Sequence, residues 1–192
     1  MRISKLLSIA TLFVLYTISL SAQNDCGINL EPIKVWSKSQ SSVIYKIDPT
    51  IPNSYVTVID VAASNWNSNS NRNWPKLNKQ FTTSSQPSSH VENGTNSISF
   101  GYPANSSALA VTKTFPEFGA SQIREGDIII NYNRYLYNQI FTGYSSVSVV
   151  PSNQYDLLTV MVHELGHFLG LGHAETSNCT NQVMYYNQRF SI

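Results

Sequence analysis

The sequence predicts an α+β domain, with strands and helices layered over one hydrophobic core. Three stretches carry that expectation. Ser41 to Asp48 (SSVIYKID) alternates apolar and polar residues, as a half-buried strand does. Asp127 to Tyr132 (DIIINY) is dense in β-branched residues and bounded by Gly126 and Asn133. Leu157, Leu158, Met161, Val162, Leu165, Phe168 and Leu169 recur at three and four, the spacing of one helix face.

In chain order, the first residues have the composition of an export signal. Arg2 and Lys5 form a short positive region, Leu6 to Leu20 is largely apolar, and the small residues Ser19, Ser21 and Ala22 follow. Ser8, Thr11, Thr17 and Ser19 interrupt an apolar run already short for a bilayer span. Residues 1–22 are therefore read as a signal peptide cut near Ala22 or Gln23, the alternative being an uncleaved anchor. Residues 23–34 make a short N-terminal segment, and 35–192 a single domain. No second long apolar stretch follows, so the mature chain is expected to be a soluble monomer without stable membrane association. Its expected place is extracellular, with a periplasm as the alternative.

The first strand ends at Pro49 and Pro52. From Ser54, an available N-cap, the residues Tyr55, Val58, Ile59, Ala62, Ala63 and Trp66 fall at helical spacing. The polar stretches Asn67 to Asn73 and Thr82 to Ser89 read as loops. Strand-like runs follow at Ser97 to Tyr102, Leu109 to Phe115 and Asp127 to Tyr132, whereas Tyr135 to Tyr144 is ambiguous. Pro151 and Ser152 introduce the long helical pattern, and Gly170 closes it.

Charge excludes one class of partner. Without Arg2 and Lys5 the 12 basic residues fall to 10 against 11 acidic, a formal charge of −1, and no basic run occurs. Nothing here offers a nucleic-acid surface. Charged residues are 12% of the chain, about half the usual share, and Ser, Asn, Thr and Gln carry the polarity instead. The two cysteines, Cys26 and Cys179, would be free to form a disulfide after export into an oxidising compartment.

The chemistry concentrates in His163-Glu164-Leu165-Gly166-His167-Phe168-Leu169-Gly170-Leu171-Gly172-His173. Residues four apart on a helix lie about 40° from alignment, so His163 and His167 project from one face toward a single ion. Glu164 is one residue further round, placed to reach water on the metal rather than the metal itself. Gly170 permits a turn that returns His173 as third ligand. Three histidines leave the open position that a catalytic zinc needs, whereas structural zinc sites usually take four protein ligands and favour Cys.

This stretch resembles the metzincin clan of metallopeptidases, whose motif is HExxHxxGxxH followed by a methionine turn. The methionine here is Met184, eleven residues beyond His173. Within the clan the chain is most similar to the matrixin (matrix metalloprotease-like) family, over about Val35 to Tyr186. The resemblance implies a twisted mixed sheet with an active-site helix and a short C-terminal subdomain. It implies a secreted zinc endopeptidase acting on extended polypeptide, with zinc on His163, His167 and His173, Glu164 as general base, and Met184 as an apolar floor. It also implies that the strand at Asp127 to Tyr132 is the sheet edge along which substrate pairs. Ala174 replaces the usual Ser after the third histidine, and Tyr185-Tyr186 replaces Tyr-Pro. A tyrosine two places after the methionine is an astacin and serralysin trait, which makes Tyr186 a candidate fifth ligand or oxyanion stabiliser. Matrixin prosegments block zinc with a Cys before Gly, so Cys26 (before Gly27) or Asp25 is a candidate latch; for Cys26 this excludes the disulfide.

Two other functions stay open on the sequence: a zinc-holding binding module that does not cut, and an amidase acting on cell-wall peptides. His90, in a polar loop, reads as solvated. Asp127 is a candidate calcium ligand without an acidic cluster of suitable spacing. Asn93, Asn105 and Asn178 stand in glycosylation sequons. Tyr132, Tyr135, Tyr137 and Tyr144 line either the cleft or the core.

Overall fold

The computed structural model describes residues 34–68, 74–117, 121–136, 138–142, 150–174 and 182–185. Among the described residues there are eight strands: β1 Val35–Trp36, β2 Ser42–Ile47, β3 Lys76–Phe81, β4 Ser97–Gly101, β5 Ala110–Pro116, β6 Gln122–Asn131, β7 Ile140–Phe141 and β8 Tyr155–Asp156. The helices are α1 Asn53–Asn67, the single-turn α2 Tyr132–Leu136 and α3 Leu157–Phe168. The α+β layering expected from the sequence is the architecture observed.

The main sheet runs β3-β2-β4-β6-β5, parallel except for β5, which is antiparallel to β6. Ile123 pairs with Trp36 of β1 and with Pro116 of β5, which puts those two strands on opposite sides of β6. The strand expected at the sheet edge is therefore internal: β6 lies between β4 and β5, and among the described residues β5 is the edge. Its proline and the bulge between Phe115 and Pro116 suit that position, where a missing N–H costs no ladder bond. Parallel neighbours need a crossover, and α1 supplies it between β2 and β3. Those two strands pair over six residues, although only Leu77 of β3 is buried and the sequence had offered no strand there.

The run Ile128-Ile129-Ile130 reads as continuous rather than alternating because β6 is covered on both faces. Ile128 and Ile130 join the core with Val43, Tyr45 and Ile47 of the sheet, Val58, Ile59 and Ala62 of α1, and Leu157, Met161 and Leu165 of α3. Ile129 faces the other way, yet it is also buried, beside Gly101 and the 82–96 loop. Gly101 is required there, since a Cβ would stand 2.0 Å from the Ser88 carbonyl oxygen.

Buried carboxylates hold that loop down. Glu125 accepts main-chain N–H bonds from Asn93 (2.9 Å) and Gly94 (2.6 Å). Asp48 accepts from Gln86 N at 2.6 Å and from Thr50, and Asp127 Oδ1 accepts from Ser97 Oγ at 2.6 Å. Burial raises the Asp127 carboxyl above the ordinary range, with the Ser97 hydroxyl opposing. His90 is half-buried rather than solvated, its Nε2 lying 3.0 Å from the Val111 carbonyl oxygen.

The helix ends follow local chemistry. Helix α1 begins two residues earlier than expected, with Pro52 rather than Ser54 at the N-cap and no side-chain cap. Asp156 caps α3 by accepting from Thr159 N at 2.9 Å and from Thr159 Oγ1 at 2.6 Å. The two helices are clamped by Trp66 Nε1, which donates to the Val162 carbonyl at 2.9 Å. Trp36 Nε1 donates to the Phe168 carbonyl at 2.8 Å, tying the end of α3 to β1.

Glu125 gives a stability prediction. Its carboxylate is wholly buried and satisfies two loop N–H groups, each bond to a charged group being worth about 1.5–3 kcal/mol. Glu125→Ala is expected to lower unfolding free energy by about 3 kcal/mol in urea titration, and Glu125→Gln by less. An alanine variant as stable as wild type would remove the loop-anchoring role.

Candidate metal centre

Helix α3 carries His163, Glu164 and His167, and a tight exit brings back His173. Gly170 has φ of +98°, Gly170 N donates to His167 O at 2.9 Å, and Leu171 N donates to Gly166 O at 3.0 Å. This pair of bonds is the Schellman pattern, which a glycine in the left-handed region permits. A side chain at Gly170 would also meet the Lys34 carbonyl oxygen at 2.1 Å. The chain then runs without regular secondary structure to His173.

The three imidazoles converge as the motif requires. His167 Nε2 lies 3.0 Å from His163 Nε2 and 3.0 Å from His173 Nε2. The three histidines are the one metal-capable group of His, Cys, Asp and Glu among the described residues. Two rings are held from behind. His163 Nδ1 lies 2.7 Å from the Val183 carbonyl oxygen, and His167 Nδ1 lies 2.8 Å from that of Leu171. A carbonyl accepts only, so each Nδ1 carries the proton and each Nε2 presents its lone pair. Burial lowers the pKa of His163, and lowers that of His167 to about 4 with His163 adding to the effect. Neutral rings with Nε2 lone pairs turned together suit a shared cation. Tetrahedral zinc at about 2.05 Å from each nitrogen would space them about 3.3 Å apart, close to the arrangement here.

Met184 is buried and its segment is wired to both sides of the cluster. Its carbonyl accepts from Ala174 N at 2.7 Å, next to His173, while the Val183 carbonyl orients His163. A Cβ on Gly166 would stand 2.3 Å from Met184 Sδ, so the glycine between the first two histidines makes room for the methionine. Gly126 does the same for Phe168, whose ring would lie 2.8 Å from a Cβ there.

Glu164 is buried, and burial pushes its carboxyl up to about 7 against the hydrogen bonds from Thr112. Thr112 Oγ1 on β5 lies 2.6 Å from Glu164 Oε2. Sequence reasoning passed over Thr112, whose only signal was its place in a strand-like run. Asp127 sits apart from the cluster, bonded to Ser97. Tyr132 and Tyr135 stack at 5.7 Å and join Phe100, Tyr55 and Tyr102 in an aromatic group. Asp25, Cys26, Tyr137, Tyr144, Cys179 and Tyr186 lie outside the described residues.

Residues 35–191 match the family model described as matrixin. No curated protein matches the chain.

The Gly166 contact predicts a loss of metal affinity on substitution. Gly166→Ala must displace Met184 and, through Val183, the acceptor that orients His163. Zinc affinity, measured by competition with a chromogenic chelator, is expected to fall about 10–100-fold. Unchanged affinity would show that the methionine segment does not orient the ligands.

Proposed function

Because the chain belongs to the matrixin family of zinc metalloendopeptidases, we propose that His163, His167 and His173 hold its zinc and that Glu164 is its general base. The observation that carries this reading is the convergence of three Nε2 lone pairs beside a carboxylate on the same helix. When bound, zinc supplies Lewis-acid activation of a water molecule and of the scissile carbonyl. Glu164 takes a proton from the attacking water as its oxygen bonds to the carbonyl carbon. It then passes that proton to the leaving amine, so the same carboxyl serves as base and then acid.

The substrate is polypeptide, and its extended form suits the free edge of β5. Asn131 N donates to Leu109 O, so residues 109, 111, 113 and 115 turn their main-chain groups toward β6. Those of Ala110, Thr112 and Thr114 face away, along the side open to an added strand. Met184 fits the role of an apolar floor. The positively led apolar segment at residues 1–22 supports export, and a secreted enzyme is our reading.

The test is hydrolysis of casein or gelatin by the purified mature chain, beside Glu164→Ala and beside a chelated sample. Glu164→Ala is expected to keep its zinc and lose at least about 100-fold in kcat. Chelation should abolish turnover, and added zinc should restore it. Comparable hydrolysis by the alanine variant would refute the assignment of the base.

A further inference from the structure

Thr112 connects the strand edge to the carboxylate. Its Oγ1 lies 2.6 Å from Glu164 Oε2 and 3.0 Å from the Glu164 main-chain oxygen. A hydroxyl has one proton to donate, and the carboxylate at the shorter distance is the stronger acceptor. Threonine suits the task because its branched Cβ restricts χ1, so the hydroxyl direction is fixed by the strand itself. A serine there would donate the same bond from a freer side chain, and a valine would keep the shape without the proton.

We propose that Thr112 is a positioning residue that holds the Glu164 carboxylate in register with a peptide bound along β5. The inference rests on the peptidase reading above. The main chain of Thr112 faces the open edge of the sheet, and its N–H, like its hydroxyl, bears on the Glu164 carboxylate. Its side chain meanwhile reaches α3 and Glu164. One residue thereby sets both where the peptide lies and where the proton acceptor stands. A buried carboxylate without that hydroxyl would keep its place on the helix and the Thr112 N–H but gain rotamer freedom, and small displacements of a reacting group cost rate steeply.

The experiment compares Thr112→Val and Thr112→Ser with wild type in two measurements. In steady-state hydrolysis of a fluorogenic peptide, Thr112→Val is expected to lose about tenfold or more in kcat, with KM within about twofold. Thr112→Ser should recover most of that kcat. A valine variant with wild-type kcat, a loss confined to KM, or equal losses in both variants would overturn the proposal. The second measurement is a thermal-unfolding cycle on chelated protein, using Thr112→Val, Glu164→Ala and the double variant. The Tm shift from Thr112→Val is expected to be about 3 °C in the wild-type background and clearly smaller in Glu164→Ala. Additive shifts would overturn the link between the two side chains. Should the valine variant fail to fold, Thr112→Ala takes its place in both measurements. A wild type without chelator-sensitive hydrolysis refutes the peptidase reading, and the chelated cycle still decides the Thr112–Glu164 bond.

Discussion

Three imidazole lone pairs turned toward one another repel, so their convergence has to be imposed by the rest of the fold before a cation can reward it. Helix α3 fixes two of the rings by its pitch alone. The third depends on a reversal immediately after the helix, and the positive φ of Gly170 makes that reversal. Carbonyls of Val183 and Leu171 then set the tautomers from outside the cluster. Each of these devices would be idle without the others. Rings of the wrong tautomer would present protons to the metal, and a straight exit from α3 would carry His173 away.

The helix in turn needs a rigid seat. It lies on the sheet against β5 and β6, clamped to α1 by Trp66 and to β1 by Trp36. Gly126 lets Phe168 rest directly on the β6 backbone. On the opposite face, among the described residues, the 82–96 loop covers β4 and β6, while Ile44 of β2 stays exposed. A loop has too little apolar surface to stay there by burial alone. The carboxylates of Glu125 and Asp48 hold its main-chain N–H groups instead. A carboxylate accepting main-chain bonds fixes a backbone position, whereas apolar packing fixes only an approximate distance.

Legibility in the sequence followed the locality of the interactions. The α3 pattern, its ligand spacing and its glycine stop are all set within about a dozen residues, and the structure realises each of them. Strand order is different, because it depends on residues far apart. DIIIN looked like the edge that receives substrate, yet it is the sheet's interior, and its unbroken apolar run was the sign of two covered faces. The actual edge, AVTKTFP, alternates weakly and carries Lys113 and Pro116, as edges do to discourage unwanted pairing. Strand β3 buries Leu77 alone, so no periodicity could announce it. The Thr112–Glu164 contact spans 52 residues and was invisible for the same reason.

Two of the three glycines within the motif, Gly166 and Gly170, show how local cost is exchanged for site geometry. Gly166 sits in the interior of a helix, where it is less favourable than alanine by about 1 kcal/mol. Judged by propensity it is a defect. Its missing Cβ is the space that Met184 Sδ occupies, and Met184 belongs to the segment whose carbonyls hold His163 and Ala174. Gly170 is unfavourable for continuing the helix and necessary for ending it. The positions where local preference is violated are thus the positions where distant segments meet the cluster, which is where function is expected to override propensity. A helix optimised for its own stability would carry alanine at both, and it would lose the methionine segment at one end and the third ligand at the other.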